Sequence, residues 1–416
     1  MRKFCLSSIL VLCILTFFSN AAGAAPQHWQ QLAELTSSLH AKNDGFGISV
    51  AMSGDTVAAG VFAPNIEASG TVDVFVEPPT GWANMTQTAT LTPSDGGEGF
   101  GISVAISGDV IVVGAANTSN FRAPDASPGA VYVFVKPAGG WTDMTETFKL
   151  TASDGQPGDA FGNSVAISGE TIAVGAFFVN NFSGRAYVFT CQSNGCTQAA
   201  ELSASDSGGI LDYLGCSVAI SGNTIVAGSF GHNNFQGSAY VYVEPSGGWA
   251  DMTETAELST LNGMSGDNVG FSVAIGSGTI VAGAPGASNA FGAAYIYTEP
   301  SAGWATTANY TAELGAPDAA QDDSFGASVG ITAGGKGIAV GEPSATIGGN
   351  SEQGSVDAYV LPPSGWRSTR TAYAEATSSD GTLYDFLGTS VAASGKKVVA
   401  GAVKEDRPGA AYIFGR

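Results

Sequence analysis

Several carboxylates in this chain stand at spacings that could do chemistry. Asp154 and Asp159, Asp318 and Asp323, and Asp380 and Asp385 are pairs five residues apart, each just ahead of a Phe-Gly or Leu-Gly dipeptide. Two carboxylates in one loop can share a calcium ion, which takes roughly six to eight oxygen ligands. They can also divide the acid and base roles of glycosidic cleavage. Their recurrence points elsewhere. An acid stands two residues before a Phe-Gly, Leu-Gly or Val-Gly dipeptide in seven places, at Asp44, Glu98, Asp159, Asp212, Asp267, Asp323 and Asp385. A group carried by every copy of a unit reads first as scaffold, its oxygens accepting loop N–H groups and fixing a turn. Calcium on Asp154, Asp159, Asp318, Asp323, Asp380 and Asp385 is the sharper alternative, and no cofactor is firmly implied.

Other reactive residues are few. The histidines are His28, His40 and His232, and no H-E-x-x-H, nucleophile elbow or Gly-rich phosphate loop accompanies them. Cys191 and Cys196 bracket QSNG and can close a small disulfide loop in an oxidising compartment. Cys216 stands where other copies of the unit carry Ile48, Ile102 or Thr389, so it reads as a buried bystander rather than a nucleophile.

The elements that carry these residues repeat. FGISVAISGDVIVVGA at 100–115 returns as FGNSVAISGETIAVGA at 161–176, and its first glycine recurs at Gly47, Gly101, Gly162, Gly215, Gly270, Gly326 and Gly388. Each copy runs in one order. An acidic loop leads into a Phe-Gly-x-Ser-Val run, a two-residue turn and an apolar run ending in Gly. A variable loop, a run like AYVFV, a Gly-Trp turn and a TAEL-like run follow. Short runs rich in Val, Ile, Tyr and Phe, bounded by Gly, Pro, Ser and Asn, are strands with turn punctuation. VIVVGA at 110–115 has no polar side and needs cover on both faces, which radially stacked four-stranded sheets supply.

The expected fold is therefore all-β, a seven-bladed β-propeller of four-stranded antiparallel blades spanning 25–416. A fourth-strand run, QLAEL after Trp29, comes first and a third-strand run, AAYIF, comes last. The N-terminal strand is expected to complete the blade built from 386–414 and so to remove an open edge. In the third blade, CQSNGC replaces the Trp turn.

Residues 1–24 read as a signal peptide cut after Ala24: Arg2 and Lys3, an apolar run, then Ala22-Gly23-Ala24. The expected location is secreted, periplasmic or extracellular. The net charge is −21, and loss of Arg2 and Lys3 would make it −23. So acidic a body repels nucleic acid and anionic lipid, and neither a nucleic-acid partner nor membrane insertion is expected.

The Phe-Gly openings and Gly283-Ala284-Pro285 resemble FG-GAP repeats, which build the N-terminal propeller of integrin α-subunits and many bacterial surface proteins. The Gly…Tyr…Trp order is similar to kelch blades as well, a second choice with the same architecture. The first resemblance covers 29–416 and implies a binding or adhesion module, a monomer, recognising a protein or glycan through loops on one face. It also implies that calcium, where bound, occupies an Asp-rich loop between strands one and two. Here that junction is Ser168-Gly169-Glu170-Thr171, and the Glu170 place is filled by Lys396 in the last copy. Two residues suit a type II′ turn and cannot wrap an ion, so the family's calcium loop is absent.

What differs between copies lies between strands two and three. Asn180, Asn181 and Phe182, then His232, Asn233, Asn234 and Phe235, then Asn289 and Phe291 form the candidate ligand sector. Amides beside aromatic rings can bind a sugar or a partner loop. The alternatives are a polysaccharide-active hydrolase or lyase, and a structural exoprotein without a specific ligand. Sequons stand at Asn84, Asn117, Asn181 and Asn309.

Overall fold

The run Val110–Ala115 is buried along almost its whole length, as a strand with no polar side requires. A computed structural model describes residues 29–38, 44–61, 70–116, 127–206, 211–404 and 408–415. The expected signal segment 1–24, His28, His40, Asn117 and residues 121–126 of one variable loop lie outside them. The strands form seven antiparallel sheets. The first is Phe46–Ser53, Thr56–Val61, Thr71–Val76 and Ala89–Leu91, from inside to outside. The inner strands Phe46–Ser53, Phe100–Ser107, Ser164–Ser168, Val218–Ser221, Ser272–Gly276, Ser328–Ile331 and Ser390–Ser394 each touch the next, and the last touches the first. Their apolar side chains, Val50, Val104, Val165 and Val273 among them, line an axial cavity of about 240 Å³. This is a seven-bladed β-propeller.

Closure is as expected. Gln30–Thr36 pairs antiparallel with Ala410–Gly415, Gln31 opposite Phe414 and Leu35 opposite Ala411. The outer edges carry something the sequence reading did not include. Met85–Thr86 of the first blade adds in parallel to Gln30–Thr36, and Met252–Thr253 of the fourth adds to Gly195–Ser203 of the third. Beside these contacts Asn84, Asp143, Asp251, Thr306 and Ser368 accept the N–H groups of Glu34, Thr90, Glu201, Glu257 and Glu313 at 2.8–3.1 Å. At five of the seven junctions a blade thus caps its neighbour's fourth strand, and two of the chain's acids, Asp143 and Asp251, are spent on that scaffold.

The repeated glycines have a common job. The glycine ending strand two abuts the Phe-Gly glycine of the next blade: a Cβ on Gly175 would lie 1.9 Å from the carbonyl oxygen of Gly215. The same approach, at 1.8–2.1 Å, occurs at Gly60, Gly114, Gly228, Gly283, Gly341 and Gly401. The motif serine reinforces it. Ser49, Ser103, Ser272, Ser328 and Ser390 donate to the carbonyls of Gly101, Gly162, Gly326, Gly388 and Gly47 at 2.7–2.9 Å. The turn between strands one and two is tight, with Gly54 at φ +61° and Asp55 outside the positive-φ region, as a type II′ turn demands. Cys191 and Cys196 are disulfide-bonded in the third blade's outer hairpin.

Candidate binding face

The loops after strand two meet the acidic loops of the following blade. Tyr213 N–H donates to the Phe182 carbonyl at 2.8 Å, Gly266 N–H to Phe235 at 2.9 Å, and Asp322 N–H to Ala290 at 2.8 Å. Both loop sets therefore share one face.

Three of these loops turn through consecutive left-handed residues. Asn180, Asn181 and Phe182 have φ of 50°, 59° and 70°; Asn233, Asn234 and Phe235 have 49°, 60° and 64°; Ser288, Asn289 and Ala290 have 57°, 63° and 68°. Asn tolerates this region, whereas Phe and Ala adopt it only when the surroundings hold them there. The turns leave Asn180, Asn181, Asn233, Asn234 and Asn289 exposed. Asn233 donates to Gln236 Oε1 at 2.6 Å and Asn234 to Ser265 Oγ at 3.0 Å. One grouping made from sequence is corrected here. Phe291, at φ −74°, stands one place beyond the positions of Phe182 and Phe235, and Ala290 fills the aromatic place. The fifth blade has Asn-Ala-Phe where the others have Asn-Phe, so its Phe leaves the turn.

A ladder of rings crosses the first two turns. Ring centroids of Phe177 and Phe178 lie 4.0 Å apart, Phe178 and Phe182 5.1 Å, and Phe182 and Tyr213 5.8 Å. Tyr213 stacks on Phe230 at 4.7 Å and 6°, and Phe230 approaches Phe235 at 6.2 Å and Phe271 at 5.8 Å. Phe271 is 44 % exposed, as are Leu261 and Met264 still more, on the loop bonded to Phe235. Sequence reasoning missed Phe177, Phe178, Tyr213, Phe230 and Phe271. The signal was there: an aromatic at the Phe271 place, where other copies have Ile, Asn, Cys, Ala or Thr.

The five-spaced acids divide their work. The downstream member accepts the N–H three residues back: Asp159 from Gln156 at 2.7 Å, Asp267 from Met264 at 2.8 Å, Asp323 from Ala320 at 2.6 Å and Asp385 from Thr382 at 2.8 Å. Burial nevertheless raises Asp159, Asp212, Asp267 and Asp323 above the usual carboxylate range. The upstream member accepts a phenol from strand three. Tyr132, Tyr187, Tyr240 and Tyr412 donate to Asp95, Asp154, Asp206 and Asp380 at 2.7–3.1 Å.

Each of these Tyr–Asp pockets also contains a basic side chain, drawn from strand four, strand three or the loop after strand two. Lys149 pairs with Asp95, and Arg185 with Glu201 at 3.1 Å beside Asp154. Lys404 Nζ lies 3.2 Å from Asp380 and 3.8 Å from Glu34. His232 takes the same part in the fourth blade, with Nε2 3.5 Å from Asp206 and 3.7 Å from Glu257, and Nδ1 3.7 Å from Asp212. Asp206, His232 and Glu257 bring their ligand atoms within 4.8 Å of one another. His232 thus belongs to an acid pocket, not to the aromatic ladder. Burial works against the charged form of Asp380, but Tyr412 and Lys404 outweigh it and hold this carboxyl below its usual range.

The sixth blade breaks the pattern. The tyrosine place holds Asp357 and the alanine after the strand-two glycine is Glu342, respectively 1 % and 2 % exposed. Ser355 donates to Glu342 Oε2 and Tyr359 to Asp357 Oδ2, both at 3.2 Å. Glu342 Oε1 and Asp357 Oδ1 are buried without a hydrogen-bond partner. Burial, then the charges of Asp357, Asp323 and Asp318, push Glu342 up to about 9; burial and Glu375 push Asp357 up to about 8. Cys216 is inert by contrast: its thiol donates to Gly270 at 3.5 Å and burial pushes it up to about 12.

A seven-bladed propeller whose two loop sets converge on one face defines a class of scaffold, and the comparison with known families supplies the particular one. Residues 29–75, 85–134, 144–189, 196–242, 252–297 and 371–414 match the FG-GAP repeat. The chain belongs to the FG-GAP repeat family, and the kelch alternative is not needed. No curated protein matches it. The first three strands of the sixth blade, within 298–370, lie outside the matched stretches.

Proposed function

We propose that the protein is an exported, non-catalytic binding module whose ligand docks on the loop face of blades three to five. The observation that carries this is the aromatic ladder from Phe177 to Phe271, flanked by the exposed amides of Asn180, Asn181, Asn233 and Asn234. Rings and amides side by side suit a neutral glycan, stacked and hydrogen-bonded at once. Aromatic pairs are worth about 0.5–1.5 kcal/mol beyond their buried area, and stacking of a sugar face on each ring is expected to be of that order. A folded variant with Phe182, Phe235 and Phe271 all changed to Ala should therefore bind at least tenfold more weakly on a glycan array followed by titration. Binding equal to that of the unaltered protein would remove the site.

A second reading is a protein partner, favoured by the exposure of Leu261 and Met264 beside the ladder. Loss of partner capture on Leu261→Asp and Met264→Asp, with glycan binding absent throughout, would decide for it. Turnover of a polysaccharide, abolished by replacing a single acid pair, would instead place the protein among enzymes.

A further inference from the structure

The acid pockets under the loop face are copies of one device, and what fills their centres can be compared blade by blade. In the second, third and seventh blades the centre holds a lysine or arginine head: Lys149, Arg185 or Lys404. The head lies at hydrogen-bond range of its acid, Arg185 3.1 Å from Glu201 and Lys404 3.2 Å from Asp380. In the fourth blade the place goes to His232, and the spacing changes. Nε2 stands 3.5 Å from Asp206 Oδ2 and 3.7 Å from Glu257 Oε1, and Nδ1 stands 3.7 Å from Asp212 Oδ1. An N–H···O bond closes at about 2.7–3.2 Å, so none of these is one. Nδ1 is buried with no hydrogen-bond partner. An imidazolium doing the lysine's work would be drawn onto its carboxylates, whereas this ring is held off all three. The gaps have the size of an ion. Ligand atoms about 2.0–2.2 Å from a tetrahedral centre stand roughly 3.3–3.6 Å from one another. Asp206, His232 and Glu257 each bring one ligand atom within 4.8 Å of the other two. Hydroxyls orient both carboxylates: Tyr240 donates to Asp206 Oδ1 at 3.0 Å, leaving Oδ2 to face the ring, and Ser238 donates to Glu257 Oε1 at 2.7 Å. A carboxylate oxygen that accepts one such bond keeps a second lone pair for a metal.

We propose that the fourth blade binds a divalent ion of zinc's class through His232 Nε2, Asp206 Oδ2 and Glu257 Oε1, where its sister blades place a lysine or arginine head. The donor set selects the ion. One imidazole nitrogen and two carboxylates at these separations suit zinc, whereas calcium takes roughly six to eight oxygens at about 2.3–2.6 Å. The two carboxylates balance the ion's charge. Asp212 is the outer partner. With Nε2 on the metal the ring's proton sits on Nδ1, and Asp212 Oδ1 is the acceptor that orients it. Three protein ligands leave a fourth position for water, and Asp206, 40 % exposed, keeps the site open to solvent. The ion joins three segments of one blade: the acidic loop, the loop after strand two and strand four. It does not depend on what docks on the aromatic ladder.

The test uses the full propeller, residues 25–416, made without a histidine tag, stripped with EDTA and then dialysed free of it. Zinc chloride titrated by calorimetry should give one site per chain, and calcium chloride at the same concentrations none. The melting temperature should rise by about 3 °C at a hundredfold excess of zinc over Kd. H232K installs the kind of head the sister pockets carry, so it should melt no lower than the zinc-free parent and lose the zinc site. E257Q keeps an acceptor for Ser238 and should bind zinc at least tenfold more weakly. H28A/H40A removes the other two histidines and should leave the zinc response unchanged. No heat and no shift in the unaltered protein overturns the proposal and leaves His232 as a plain counter-charge. A zinc response that survives H232K or E257Q, or one that vanishes in H28A/H40A, overturns it too, because the ion is then held elsewhere. So does calcium binding as tight as zinc binding. Should H232K fail to fold, E257Q and H28A/H40A decide the matter. Glycan or protein capture by the ladder is read separately, and its failure leaves this result standing.

Discussion

Gly175→Ala should cost roughly 3 kcal/mol or more, the upper range for forcing one extra carbon into a packed interior, and should open the ring or leave it unfolded. The added carbon would stand 1.9 Å from the Gly215 oxygen and 2.9 Å from its carbonyl carbon, both main chain. Neither side can give way. Gly215 N–H is tied to the Gly228 carbonyl at 2.9 Å, and the Gly175 carbonyl holds Gly162 N–H at 3.0 Å. Relief must come from separating two blades by more than an ångström, which breaks the ring on which all seven depend. Gly139→Ala is the control, since a carbon there meets nothing within 4 Å and the backbone is not left-handed. It should stay within about 0.5 kcal/mol of the parent. Urea unfolding read by tryptophan fluorescence compares the two, and equal midpoints would refute the packing account.

Deleting residues 29–38 should have the largest effect of any change considered. The deletion strips Gln30–Thr36 from the seventh blade and leaves Ala410–Gly415 as a bare edge. It also removes Ala33 and Leu35 from a cluster with Phe46, Val50, Val57 and Ile413. The shortened chain should aggregate on purification, as an unpaired apolar strand invites. A permutant tests whether the strand itself or merely its place in the chain matters. Residues 30 and 415 are cross-strand partners, so a short linker can join them, with new ends between 38 and 44. That permutant should stay soluble and melt within a few degrees of the parent. A deletion that remains soluble, or a permutant that precipitates with it, would show that the latch is not what holds the ring.

Much of the fold was legible because its constraints act through the main chain. Close approach at Gly175 and Gly283 admits no side chain, so the glycines repeat and mark every blade. The latch was legible because a TAEL-like run stood first and an AYVFV-like run last. The site was harder to read. Asp154 and Asp159 look alike in sequence, yet one meets a phenol from strand three and the other an N–H three residues back. Their counter-charges come from strand four, strand three or a loop, with no fixed spacing to Lys149, Arg185, His232 or Lys404. The ladder gathers rings from two loops after strand two, from the acidic loop at Tyr213 and from Phe271 just ahead of an inner strand, and Phe291 was grouped with Phe182 and Phe235 through a one-residue shift. The sixth-blade acids were visible only as exceptions, Glu342 where other copies carry a small or apolar residue and Asp357 where most carry Tyr. Asp73 shows that such an exchange can also be settled locally, by the Thr90 hydroxyl at 2.9 Å.

Pairing Gln30–Thr36 with Ala410–Gly415 sets a timetable as well as a shape. Gln30–Thr36 leaves the ribosome long before Ala410–Gly415, so a product lacking the later strand cannot finish the wheel. Throughout that interval two sticky borders stand uncovered, each a template for pairing with another newborn copy.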